Sequence, residues 1–481
     1  MNKIKNNLPP AFRITQQSAV YIFWQILLRF AGYGKVIFFS RVLPQEILGA
    51  YFLFTSQFAL LNSLSEFGFS NAGIKYISEG EDREKYFSCY LLFRILAGAA
   101  VVGLLLLFKD ALTDFTNTGY FFWLLLLLGI SSIQAPIVVG ITGLDKLSVR
   151  STCNALSSGI TILIQILGVA LGFGGTALAV GTCAGLGIGI LLEVRYLSLG
   201  IQTPSLKHIK KIGKAAGWFF AASVMIALSS HIDALIIGHF LGYEDVSTYK
   251  VIFQLSTLSS IILAAFSFVL WPKINRWWKE DAIEPIQSSL SSAIGYSLAL
   301  ALPMVIGASL AGKEVLHFFY GTGYSYGHDS LVVLFAMQIF GIFYTLFTLF
   351  LQACNQLKGA LIIHGVSGVI NIVLSVTLVQ NFGIMGPSLA LLTSFCIGTI
   401  LGFLFLAKRI KIIINTRPLR SSLIASLLMA TLLFTGLKWG PTSSISLISN
   451  ILFSGLIYII TFLFLEKKVI VTIRNLIQGS T

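Results

Sequence analysis

Charge is what this chain has least of. Only 11% of its 481 residues are Asp, Glu, Lys or Arg, while 56% are hydrophobic; a soluble protein carries about 25% charged residues. So few polar groups cannot solvate a globule of this size, and lipid must supply most of the solvent. Acids are scarcer than bases, 19 against 33, for a net charge of +14. In a soluble chain that excess would suggest nucleic acid. Here Lys and Arg cluster in short segments between apolar runs, as the positive-inside rule requires, and no nucleic-acid partner is expected.

Other absences narrow the class further. No G-x-x-x-x-G-K-[ST] occurs, so ATP is not used directly. No H-E-x-x-H or clustered His/Cys spacing occurs, so neither a metal nor a cofactor is expected. Cys89, Cys153, Cys183, Cys354 and Cys396 have no redox spacing and read as small core residues without disulfides. The N-terminus does not read as a cleavable signal peptide: its first apolar run is long, contains Arg29 and lacks a small-residue cleavage site. The glycines of "GLGIGILLE" sit inside an apolar run and suit helix packing rather than nucleotide binding. No connection is long enough for a folded soluble domain. The longest outer segment, around "KEVLHFFYGTGYSYGHDS", is poor in the acid, base and Arg groups that a glycan polymerase or ligase needs. No catalytic residues are expected, and the chain does not read as an enzyme.

What is present is a series of apolar runs, each about 20 residues long. They predict about 14 spans, near 18–40, 46–70, 86–108, 119–142, 151–171, 176–198, 214–238, 247–272, 287–311, 329–353, 359–380, 384–407, 420–438 and 443–465. Unbroken runs such as "LLLLLGI" indicate helices, because a barrel would alternate polar and apolar residues. With both termini in the cytoplasm, 25 of the 33 Lys and Arg fall on the cytoplasmic side, including Lys3, Lys5, Lys467, Lys468 and Arg474. Five fall outside, and Arg29, Arg94 and Lys250 lie within spans.

The chain also repeats itself. "SRVLPQEILGAY" at 40–51 is echoed by "GHFLGYEDVSTY" at 238–249, with Leu43, Glu46 and Tyr51 matching Leu241, Glu244 and Tyr249 at an offset of 198. "SGITILIQILGVALGFG" at 158–174 aligns with "SGVINIVLSVTLVQNFG" at 367–383, with Gly174 and Gly383 in register. The reading is an all-α integral membrane protein of two pseudo-symmetric six-helix lobes, a parallel repeat, plus two C-terminal helices. The expected divisions are 1–200 (spans 1–6), 201–415 (spans 7–12) and 416–481 (spans 13–14 and a cytoplasmic tail), with "SLGIQTPSLKHIKKIGK" as the joint. Each echoed corner would cap the outer end of its half's first helix. The simplest reading of its residues is that Glu46 and Glu244 solvate a turn and that Tyr51 and Tyr249 anchor at the interface.

Ionisable residues within spans are costly unless paired or facing water, so they mark candidate sites. Gln25, Arg29 and Gly32 share one helical face, with Lys35 nearer the outer end. Asn62 and Glu66 are four apart; Arg94 stands in span 3; His231, Asp233 and His239 are in span 7; Lys250, Gln254 and Thr257 form one face of span 8. Blander readings stand beside these. Arg29 would pair with Glu66 or Asp233, Arg94 would snorkel to the cytoplasmic interface, His364 would be a packed polar residue, and "WPKINRWWKE" would be an interfacial belt.

The first-hairpin pattern "SRVLPQEILGAYFLF", the segment "GITGLDKLSVRSTCNALSSG" and the span plan resemble the polysaccharide transporter (Wzx-type flippase) branch of the multidrug/oligosaccharidyl-lipid/polysaccharide exporter superfamily. The resemblance implies two lobes alternating access around a central cavity lined by spans 1, 2, 7 and 8. It also implies a lipid-linked oligosaccharide on polyprenyl pyrophosphate, carried to the outer leaflet of a bacterial inner membrane for O-antigen, capsule or exopolysaccharide. Membrane lipid, a polysaccharide polymerase and a chain-length regulator are the further partners it implies. On that basis Arg29, Lys250, Gln25, Gln254, Lys35 and Arg94 are expected to bind substrate. Glu66, Asp233 and His231 are expected to serve ion coupling or helix pairing. A cationic bias suits pyrophosphate or an acidic sugar. A cation or drug exporter, which would favour an acidic cavity, a peptidoglycan-precursor flippase and an integral-membrane glycan polymerase remain as alternatives.

Overall fold

The computed structural model describes residues 10–109, 119–439 and 444–466, and these are helical with no strand among them. Lys3, Lys5 and the expected cytoplasmic tail with Lys467, Lys468 and Arg474 lie outside the described residues. Packing divides the chain into two units, Met1–Ser247 and Thr248–Thr481. The first contains α1 (Pro10–Val42), α2 (Gln45–Glu66), α3 (Phe69–Glu79), α4 (Arg83–Leu107), α5 (Phe121–Gly143), α6 (Leu147–Ala170), α7 (Gly174–Val194) and α8 (Leu206–Phe240). Helix α9 (Tyr243–Ser256) begins in unit 1 and runs into unit 2. There it is followed by a 3-10 turn (Thr257–Ser260), α10 (Ile261–Lys279), α11 (Ile283–Tyr320), α12 (His328–Ala353), α13 (Leu357–Phe382), α14 (Met385–Ala407), α15 (Thr416–Trp439) and α16 (Ser444–Leu465).

Twelve stretches of these helices are long and apolar enough to cross a membrane. The two expected spans outside that count are the first and the seventh, which are α1 and α8. At 33 and 35 residues both are long enough to cross. The contact division falls at 247/248, whereas the sequence repeat places its joint near 200, because α8 packs on α2, α3 and α4.

Spans 2 and 8, expected as single helices, are each broken. In span 2 the break is at Phe67 (φ 44°) and Gly68 (φ 72°), both left-handed. In span 8 it is the 3-10 turn, and the sequence explains it. Ser256, Thr257, Ser259 and Ser260 each donate a hydroxyl to the carbonyl three residues back, at 2.7–2.8 Å. Such bonds compete with regular helix geometry.

The duplication survives best in the turns. Asp82 (φ 51°) and Asp281 (φ 53°) match at an offset of 199, Asp145 (φ 57°) and Asn355 (φ 59°) at 210, and Gly174 (φ 54°) and Gly383 (φ 55°) at 209. Packing order repeats too. In unit 1, α3 packs on α4 and α5, α5 on α4 and α7, and α6 on α7. In unit 2, α10 packs on α11 and α12, α12 on α11 and α14, and α13 on α14.

Within "GLGIGILLE" two of the three glycines serve close packing: a Cβ at Gly185 would collide with Thr161 on α6 and one at Gly189 with Gln134 on α5, and Gly181, one turn before the stretch, likewise leaves room for Gln165 on α6. The tyrosines of the echoed corner do not sit as interfacial anchors. Tyr51 and Tyr249 are buried, whereas Glu46 and Glu244 are exposed. Tyr51 packs with Phe54 and Tyr120, and its hydroxyl bonds Thr182 Oγ1 (3.0 Å) and accepts from Gln165 Nε2 (3.1 Å). In "WPKINRWWKE" Trp271 is exposed, but Trp277 and Trp278 pack against the unit 2 core. All five cysteines are free.

The expected joint is held to unit 1. Gly200 N donates to Glu84 Oε1 (3.0 Å), Gln202 N to Ser88 Oγ (2.9 Å), and the Gln202 amide to Glu84. His208 bridges Ser205 Oγ (2.6 Å) and Asp82 Oδ2 (3.0 Å). Hydrogen bonds from Lys85 and His208 lower the Asp82 pKa to about 2. Lys211 lies over the rings of Tyr76 and Tyr86 at 4.7 and 5.5 Å, and its contact with Tyr86 raises its pKa.

Candidate functional site

Among the described residues Arg94 is the largest wholly buried side chain, at 0% exposure. It stands on α4, three turns from the Asp82 end. Its guanidinium donates to Ser65 Oγ and Asn62 Oδ1 on α2 and to Ser131 Oγ on α5 (3.4 Å). Asn62 turns its other side to Glu66, with Nδ2 donating to Oε1 at 3.3 Å. The amide thus relays between a buried cation and a carboxylate, which is the pairing that a desolvated arginine requires. The cluster abuts the Phe67–Gly68 break. Arg94 therefore does not snorkel to an interface. It ties α2, α4 and α5 together where α2 ends.

The remaining expected residues are placed as follows. Gln25 is exposed on α1; Arg29 and Lys35 are half-buried. Glu66 is taken by Asn62 and lies beside Arg94, so the expected clamp between Arg29 and Glu66 is not formed. In α8 Asp233 is buried, His231 half-buried and His239 exposed. In unit 2 Lys250 and Gln254 are half-buried. His364 is held by the Tyr344 hydroxyl at 2.6 Å, as a packed polar residue would be. No group of three or more metal-ligating side chains occurs among the described residues.

Unit 2 carries a pocket of about 270 Å³ beside the broken span 8. Its polar lining is Thr257, Ser260, Ser267, Gln338 and Thr345, with Phe395 closing one side. Phe395 stacks on Tyr344 (centroids 4.7 Å, 7° between planes), and Gly341 lets the ring approach α12, since a Cβ there would lie 3.3 Å from it. Sequence reading named Thr257 but missed its neighbours Ser260, Leu263, Ala264 and Ser267, and also Gln338, Gly341, Thr345 and Phe395, which come from helices far along the chain.

This pocket and the Arg94 cluster occupy matching places in the repeat. At the offset of 198, Asn62, Ser65 and Glu66 fall on Ser260, Leu263 and Ala264, all of which line the pocket. Ser131 falls within a turn of Gln338 and Gly341. At the offset of 199, Arg94 falls on Ala293.

Comparison with known proteins agrees with this architecture. Residues 14–278 match the family described as polysaccharide biosynthesis protein, and the chain belongs to that family. It is 24% identical to the "Probable low-salt glycan biosynthesis flippase Agl15" of Haloferax volcanii over 453 residues, which cover 94% of this chain and 95% of that protein. It is 25% identical to the "Probable flippase AglR" of the same organism, covering 82% and 84%. Among solved structures it resembles the lipid II flippase MurJ in an inward closed conformation (TM-score 0.77, 16% identity, 94% of this chain and 100% of that one). It also resembles an inward-facing multidrug resistance MATE family transporter of the MOP superfamily (TM-score 0.65, 16% identity, 82% and 98%). The fold is that of MOP-superfamily transporters, and the chain is a multi-pass membrane protein.

Proposed function

We propose that this protein is a flippase that carries a lipid-linked oligosaccharide across the membrane by alternating access, without catalysing a reaction. The observation that carries the reading is the near-complete match, over 94% of the chain, to a relative named as a glycan biosynthesis flippase. The intramembrane charge supports it, because a cation in a span needs an aqueous cavity or an anionic partner. Arg29 and Lys250 would contact the anionic pyrophosphate, with Gln25, Gln254 and Lys35 beside them, while Arg94 holds the α2 break. Glu66, Asp233 and His231 would serve coupling or pairing.

A polyprenyl pyrophosphate carrier, an O-antigen, capsule or exopolysaccharide product, a bacterial inner membrane and cytoplasmic termini form the finer part of this proposal. A polysaccharide polymerase would follow it. Both named relatives come from Haloferax volcanii, so they support glycan transport without specifying this product. The resemblance to MurJ favours one second reading, a peptidoglycan-precursor flippase.

Reconstitution tests both. Proteoliposomes holding the purified protein should flip a polyprenyl-pyrophosphate-linked oligosaccharide faster than lipid II; preference for lipid II would select the second reading. The Arg29→Gln, Lys250→Gln double variant should lose about tenfold or more of its flipping rate, as expected when charge-assisted bonds are removed, while melting near wild type. Normal flipping by the folded double variant would remove both residues from the headgroup site.

A further inference from the structure

We propose that the start of α8, with the strap before it, docks on anionic phospholipid headgroups at the membrane surface. The proposal does not depend on what the protein transports. Three observations carry it.

The first is the spacing of the lysines. Lys207, Lys210 and Lys214 are exposed and fall at i, i+3 and i+7, which puts them on one face of the helix. No ion pair joins any of them to a carboxylate among the described residues. Nearby acids are engaged elsewhere: Asp82 by Lys85 and His208, Glu84 by Gly200 and Gln202. Lys211 stands on the flank of this face, and Glu79 acts on it. It shares the Tyr76 ring with Lys75 of α3, which is also exposed; the two ammonium nitrogens lie 4.7 and 5.4 Å from the ring centroid. The basic surface therefore extends from α8 onto α3.

The second is depth. Helix α8 has 35 residues and is about 52 Å long, against about 30 Å of hydrocarbon. Residues 215–240 contain no Lys or Arg and, at about 39 Å, suffice to cross. Lysines packed as closely as those of 207–214 are not tolerated in hydrocarbon. The turns that carry them therefore fall at the level of the headgroups, where lipid phosphates are the abundant anions.

The third is what the other faces of the same turns carry. His208, Ile212 and Ala216, four apart, are buried and hold α8 to unit 1, Ile212 and Ala216 within the cluster that includes Tyr76 and Tyr86. Between that face and the lysines stand Leu206 and Ile209, both exposed; Ile201 of the strap is exposed too, at 76% against 74% for Leu206. Apolar side chains beside lysines on one open surface are the pattern of a helix lying in the interface. A soluble phosphate would engage the lysines and give Ile201, Leu206 and Ile209 nothing to enter. The acyl boundary just beneath the headgroups takes both.

The test uses the full-length protein in nanodiscs at low ionic strength. Replacing half of the phosphatidylcholine by phosphatidylglycerol should raise Tm by about 2–4 °C, and about 0.5 M NaCl should remove most of the rise. Lys207→Gln, Lys210→Gln, Lys214→Gln should melt like wild type in phosphatidylcholine and lose at least half of the rise. Lys207→Arg, Lys210→Arg, Lys214→Arg should keep it, since the charge is retained. Lys408→Gln, Arg409→Gln, Lys411→Gln, which removes three exposed bases of unit 2, should keep most of it as well. The absence of any rise in wild type overturns the proposal, as does a rise that the α8 Gln variant retains in full. An equal loss in the unit 2 variant also overturns it, because the attraction would then be the diffuse one of any basic surface. So does a rise reproduced in phosphatidylcholine by glycerol 3-phosphate and lost in the α8 Gln variant, which would make the stripe a site for a soluble anion.

Discussion

In unit 1 the break of the second span is plugged by Arg94, with Asn62, Ser65 and Ser131 around its guanidinium and Glu66 beyond. In unit 2 the corresponding break of span 8 borders an open pocket lined by hydroxyls and a carboxamide. The turns at matching positions share their φ angles within a few degrees, and the helices pack in the same order. The polar interior is where the copies differ. A duplicated frame has thus kept the turns and packing that fix chain path, while the side chains around the two breaks have diverged.

The comparison breaks most readily at Arg94. Arg94→Met should cost about 3 kcal/mol or more, because hydrogen bonds from a buried charged donor, each worth about 1.5–3 kcal/mol, are lost to Asn62, Ser65 and Ser131, seen as a large fall in Tm. Adding Glu66→Gln should restore part of it by removing the stranded carboxylate. An unchanged Tm in Arg94→Met would mean that the cluster is not structural. Next in size is Gly185→Leu, whose side chain would run into Thr161 and the Ser157 carbonyl. Overpacking should cost about 1–3 kcal/mol, read in the same melting assay. The comparison is sharpened by a matched pair. Asn62→Ala should lose about 1–3 kcal/mol, because it leaves Arg94 and Glu66 without their relay, whereas Ser260→Ala at the equivalent position should lose about 0.5–1.5 kcal/mol at most. Equal losses would show that the two breaks are alike after all. Smallest is Asp82→Asn. With the folded pKa lowered to about 2, the carboxylate's stabilising contribution is present above the ordinary carboxylate range and disappears as pH falls through about 2. Asp82→Asn should therefore lower Tm slightly at neutral pH, and the difference from wild type should shrink on acidification.

Most of the helical plan could be read from apolar runs, because lipid demands long uninterrupted stretches. The repeat could be read as well, since turn residues such as Gly174 and Gly383 are constrained by backbone geometry rather than by neighbours. The breaks could not. The "STLSS" run carries helix-competing hydroxyls, yet it lies within an otherwise apolar span. The candidate site was legible only in part. Asn62 and Glu66 announce a contact by their spacing. Arg94 meets residues 29, 32 and 37 positions away, and no local pattern encodes that. Tyr51 misled for the same reason: an amphipathic ring near a span end suits an interface, but Gln165 and Thr182, distant in sequence, supply its partners inside.

The segment joining the two repeats is bound along its length, by Glu84 and Ser88 at Gly200 and Gln202 and by Asp82 at His208. A tether secured at both ends stores no slack. The chain near residue 200 is therefore fastened to the surface of unit 1 rather than hanging as a free linker.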